Sequence, residues 1–122
     1  MNGFLLFFIY AGLMSFGQFL FKQTAEQFRV VSPAGVFDSI AFLISSPRFL
    51  SACMVYAAAT LLWVIVLAQF NLSLAYPIVI SLSVLFTVLI GIVVFAEPLT
   101  IYGVLGLASI VIGIMFLAKN AQ

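Results

Sequence analysis

The chain has no histidine, a single cysteine, only three acidic residues and four basic ones. Without histidine, no side chain has an ordinary pKa near neutrality, and Cys53 alone cannot build a thiol cluster, so no metal centre can be read here. Cys53 lies inside an apolar run, where it reads as a small buried hydrophobe. A net charge of +1 gives no electrostatic footprint for nucleic acid, and no low-complexity tract or internal repeat is visible. Nothing calls for a cofactor or for covalent chemistry.

What remains is 66% hydrophobic and 6% charged, with a mean hydropathy of +1.39. A soluble domain of this length could not hide that much apolar surface. Crossing a hydrocarbon core roughly 30 Å thick takes on the order of 20 apolar residues, and several runs are that long. The composition predicts an all-α membrane protein.

Gly3 to Phe21 carries no charge and reads as span one. It begins after Met1 and Asn2 with no basic leader, and no small-residue cleavage motif follows, so it reads as a retained span. Lys22, Glu26 and Arg29 mark its exit into water. Ser32 and Pro33 supply a cap and a first-turn proline for a short helix over about 33–45. Its Val36, Phe37, Ile40 and Ile44 form an apolar face opposite Asp38 and Ser39. Too short to cross, this helix is expected to lie in the interface plane and to end at Ser45, Ser46 and Pro47.

Phe49 to Ala96 has no charge at all, and as one helix it would reach roughly 70 Å at about 1.5 Å per residue. The run must fold back, and Gln69, Asn71 and Ser73 form the polar cluster near its middle. Span two is placed at about 49–70 and span three at about 73–96. With Ser73 as N-cap, Pro77 falls in the first turn; with an earlier start it lies inside the helix and kinks it. Glu97 and Pro98 end span three, and span four runs over about 99–118 before Lys119. These spans form one domain over residues 1–122. Lys22, Arg29 and Arg48 share the side of the first loop, so positive-inside reasoning leans toward both termini outside the cytoplasm.

Span one carries the informative pattern, because Ser15, Gln18 and Lys22 recur at spacings of three and four. On a helix they share one face, and lipid offers such a stripe no partner. The stripe is expected to face other helices or a watery cavity, with Lys22 able to hold a phosphate as a point charge. The plainer reading of Lys22, and of Arg48 before span two, is an interfacial anchor. Glu97 reads either as favourable charge at a helix N-terminus or as a counter-ion for Lys22. Trp63 lies too deep in span two for an interfacial belt, and with Tyr56 it lines a cavity or packs a core. In span four, Gly103, Gly106, Ile110 and Gly113 make a strip where another helix can approach, which points to a dimer seam.

Several residues together carry a resemblance: Ser15, Gly17-Gln18 and Lys22-Gln23; Trp63 and Leu67; Ala75-Tyr76-Pro77; and Glu97-Pro98 ahead of the Gly106 to Gly113 helix. The chain resembles the four-span, EamA-like members of the drug/metabolite transporter superfamily, and within it the subunits of the aminoarabinose-phosphoundecaprenol flippase. The segment from Val30 to Pro47 is longer than in those subunits. The resemblance implies a flippase of the bacterial inner membrane for a polyprenyl-phosphate glycolipid. Phosphate would meet Lys22 or Arg48, and the sugar would touch Gln18, Ser15 and Tyr76. It also implies a homodimer or a heterodimer with a related four-span subunit. The neighbouring small multidrug resistance exporters use a carboxylate in span one, and here Met14 stands at that position. Met14 cannot titrate, which favours the lipid-linked anion over cation antiport. A multidrug-type exporter and an accessory subunit of a membrane complex are the alternative readings.

Overall fold

The computed structural model describes residues 2–120, and among these every regular element is an α-helix. The helices are α1 (Asn2–Val31), α2 (Gly35–Ser45), α3 (Pro47–Gln69), α4 (Leu72–Val93) and α5 (Ile101–Asn120). All but α2 are long and apolar enough to cross a membrane. Four spans with a short helix between the first two is the architecture expected from the sequence.

The helix ends follow local chemistry, in places differently from expectation. No proline or glycine interrupts the chain between Gly17 and Pro33, so α1 continues as helix through Lys22, Glu26 and Arg29 to Val31. Ser32 stops it with a left-handed backbone at φ 49°, its N–H donating to the Phe28 carbonyl and its hydroxyl to that of Arg29. Ser32 therefore closes α1, correcting its expected role as N-cap of the next helix. α2 starts only at Gly35, at φ 82°, with Ala34 preceding it and making no side-chain cap. Ser46 separates α2 from α3: its N–H donates to Leu43, its Oγ accepts from the Phe49 N–H, and Pro47 follows at the first helical position.

Asn71, not Ser73, is the N-cap residue of α4, and its carbonyl accepts from Leu74 and Ala75. The earlier start places Pro77 inside the helix, where it has no N–H to offer the turn before it. At the far end of α4 the chain turns at Ala96, φ 53°, and the Glu97 N–H reaches back to the Gly91 carbonyl at 3.0 Å. Thr100 then caps α5 by accepting from Gly103.

α1 is central and packs on both α3 and α4, whereas α5 rests on α4. Phe7 and Ala11 of α1, Val66 of α3, and Ala75, Ile78, Val79 and Leu82 of α4 form the buried core. α3 buries Ala52, Ala59 and Val66, a spacing of seven that suits a shallow crossing with close backbone approach. Large apolar side chains such as Met54, Leu61, Val93 and Phe116 face outward, as a surface wetted by lipid requires. Cys53 is exposed on α3, so the sequence expectation of a buried residue is corrected. The up-and-down topology gathers Lys22, Glu26, Arg29, Asp38, Arg48 and Glu97 at one end of the bundle and leaves Lys119 at the other.

Candidate functional site

Two stripes meet across the parallel pair α1 and α4. On α1 the stripe is Ser15, Gln18 and Lys22; on α4 it is Ser83, Thr87 and Gly91, a spacing of four that aligns them on one face. Ser15 is almost fully buried between the helices, its hydroxyl shared between the Ala11 carbonyl at 2.8 Å and the Ser83 carbonyl at 3.3 Å. Thr87 donates in turn to Ser15 Oγ at 3.4 Å. Every donor in this knot has an acceptor, so it joins the helices at membrane depth without an unpaired polar group.

Beyond the knot the helices part around a cavity of about 160 Å³, lined by Ser15, Gln18, Phe19, Lys22, Thr87, Ile90, Gly91, Phe95 and Glu97. Here the Lys22 Nζ lies 3.4 Å from Glu97 Oε1 and 5.9 Å from the Phe95 ring centroid. Both members of the ion pair are about half exposed, at 44% and 50%. Such a pair contributes only about 0–1 kcal/mol and exchanges partners readily. Lys22 is therefore a positive charge held in place by an aromatic face and still reachable.

The cavity has two neighbours. One, of about 380 Å³, shares Gln18 and Thr87 with it and continues past Met14, Ile80 and Ser83 toward the middle of the bundle. The other, of about 450 Å³, shares Ser15, Phe19 and Ile90 and is walled by Gly12, Phe16, Phe86, Leu89 and Val94, an almost wholly apolar groove. A polar head site thus adjoins a trough suited to a hydrocarbon chain. A larger cleft, about 560 Å³, lies elsewhere, between the end of α1 and the corner of α2 and α3. Phe42, Val30 and Val31 dominate it and Lys22 does not reach it, so size alone does not identify the chemistry.

Of the residues singled out from sequence, the structure brings Ser15, Gln18, Lys22 and Glu97 together. Trp63 and Tyr76 sit away from this cavity. With Tyr10 they form an aromatic cluster toward the other end of the bundle, Tyr10 to Trp63 at 5.2 Å and Trp63 to Tyr76 at 6.1 Å between centroids. Arg48 is exposed at the start of α3 and does not line the cavity. Gly103, Gly106, Ile110 and Gly113 lie on α5, which buries no residue, and a methyl group added at Gly106 or Gly113 would touch nothing. Thr87, Gly91 and Phe95 were not anticipated. The spacing of Ser83, Thr87 and Gly91 was the signal that could have revealed the first two.

The family model described as "Putative transmembrane family 234" matches residues 9–118, nearly the whole chain. The chain belongs to transmembrane family 234. This family member is also similar to a protein of Pseudomonas syringae pv. syringae (strain B728a) named as a probable 4-amino-4-deoxy-L-arabinose-phosphoundecaprenol flippase subunit, ArnE. The two are 31% identical over 99 residues, covering 81% of this chain and 89% of the other. No solved structure matches the chain. Family membership and the four long apolar helices make it a multi-pass membrane protein, related to a transport subunit.

Proposed function

We propose that this family 234 protein is a subunit of a membrane transporter that moves a polyprenyl-phosphate-linked sugar across a bacterial inner membrane. The observation that carries the reading is the placement of the Lys22 ammonium in a polar cavity that adjoins an apolar groove. An ammonium there can hold a phosphate by charge, with the Gln18 amide and the Thr87 hydroxyl oxygen offering partners to a sugar. The prenyl chain lies along Gly12, Phe16, Phe86 and Leu89 and stays in contact with lipid. The name of the Pseudomonas relative supports this choice of substrate class. No bond is made or broken, so the protein acts as a carrier and not as an enzyme. Because Gly106 and Gly113 of α5 face open space, we propose that a second four-span chain, identical or related, packs there.

The test is head-group exposure in reconstituted vesicles, comparing wild type with Lys22→Ala and Gln18→Ala. Translocation is expected to fall at least tenfold in Lys22→Ala and by less in Gln18→Ala, on the order of losing a charge-assisted contact and a neutral one. Unchanged rates in both variants would remove the site.

A further inference from the structure

We infer that Glu97 is a tethered competitor for the Lys22 anion site, its carboxylate occupying in the empty protein the place that a phosphate takes on binding. This rests on the proposed anion-binding role of Lys22. The side chain is delivered by a built strap and does not simply drift into position. Ala96 adopts a left-handed backbone, and the Glu97 N–H is bonded to the Gly91 carbonyl at 3.0 Å, which fixes where the side chain starts. The carboxylate then lies over Gly91 so closely that a Cβ there would come within 2.6 Å of Oε2. Glycine at 91 is thus what admits the carboxylate to the cavity. Its other oxygen reaches Lys22 at 3.4 Å.

Volume argues the same way. With the carboxylate inside, about 160 Å³ is left, roughly half the lower end of the range for small-molecule sites. Rotating the carboxylate outward enlarges the site without moving the strap, because the backbone bond to Gly91 does not involve the side chain. Lys22 keeps its position meanwhile, since Phe95 still faces the ammonium. Glu97 therefore acts as a selector. A ligand must attract Lys22 more strongly than a carboxylate already at hand, which favours phosphate over a weaker anion and denies the site to uncharged prenyl alcohols.

The experiment is calorimetric titration of the full-length protein in detergent micelles with farnesyl phosphate, using farnesol and inorganic phosphate as separate arms. Wild type is expected to bind farnesyl phosphate and not farnesol, with inorganic phosphate far weaker because it lacks the chain. Glu97→Gln and Gly91→Ala are each expected to tighten farnesyl phosphate binding about two- to five-fold, the scale of a half-exposed ion pair. Lys22→Gln is expected to abolish it. If Lys22→Gln abolishes binding while Glu97→Gln leaves it unchanged or weaker, the competitor role is overturned and the anion site stands. If Lys22→Gln binds as wild type does, both fall. Glu97→Gln keeps size and polarity at an exposed position, so its reading survives if Gly91→Ala proves poorly folded.

Discussion

Gly17 shows how closely single residues are fitted in this bundle. The Tyr56 ring lies across it, and a Cβ at that position would come within 2.5 Å of the ring's Cε2. Gly17→Ala should force α1 and α3 apart at a cost of about 1–3 kcal/mol, seen as a lower melting temperature in detergent. A melt identical to wild type would show that the ring yields freely. Ser15 makes a different demand, since its hydroxyl both donates across the helices and accepts from Thr87. Ser15→Ala should cost roughly 0.6–1.7 kcal/mol, the measured scale for such bonds in membranes, and a loss near zero would mean that Thr87 finds another partner. Spacing in α1 revealed Ser15, Gln18 and Lys22, because a polar stripe stands out in an apolar helix. The matching stripe of α4 was harder to read. Ser83 and Thr87 are common in membrane helices, and Gly91 matters only through a side chain that the fold brings to it.

At the scale of the helices, existence was legible and endings were less so. Hydropathy alone separates the long helices, whereas Ser46-Pro47, expected to end the short helix, also opens α3. α1 runs on past the charges that mark the exit of span one, because Glu26 and Arg29 are good helix formers that simply continue the helix. The start of α4 moved because a backbone carbonyl at Asn71, not a hydroxyl at Ser73, meets the first free N–H groups. α5 differs from the other long helices, burying no residue and touching only α4 among them. Replacing Gly106 and Gly113 together by Leu should therefore leave the melting of the single chain within about 0.5 kcal/mol of wild type. The same change should sharply reduce cross-linked dimer in vesicles. An undiminished dimer would place the seam on another helix.

For the whole molecule, the path of the chain makes a prediction that any reading of function must share. With Cys53→Ser as background, single cysteines at Asp38 and at Lys119 should label with an impermeant maleimide from opposite faces of the membrane. Labelling from the same face would contradict the four crossings. The architecture was readable because a long uncharged run can only be folded back on itself. The site was readable in part. Sequence placed Glu97 and Lys22 at the same end, but their 3.4 Å contact depends on the turn at Ala96, a positive φ that no residue preference announces.

α1 has 30 residues and so measures about 45 Å, half as long again as the roughly 30 Å of oil it crosses. A rod in that situation must lean or protrude, and its free end is braced by the Phe28 ring against Phe42 of α2. Lys22 sits on the flank of this shaft about two thirds of the way along it, so the lean of the rod sets how far below the water line the ammonium lies.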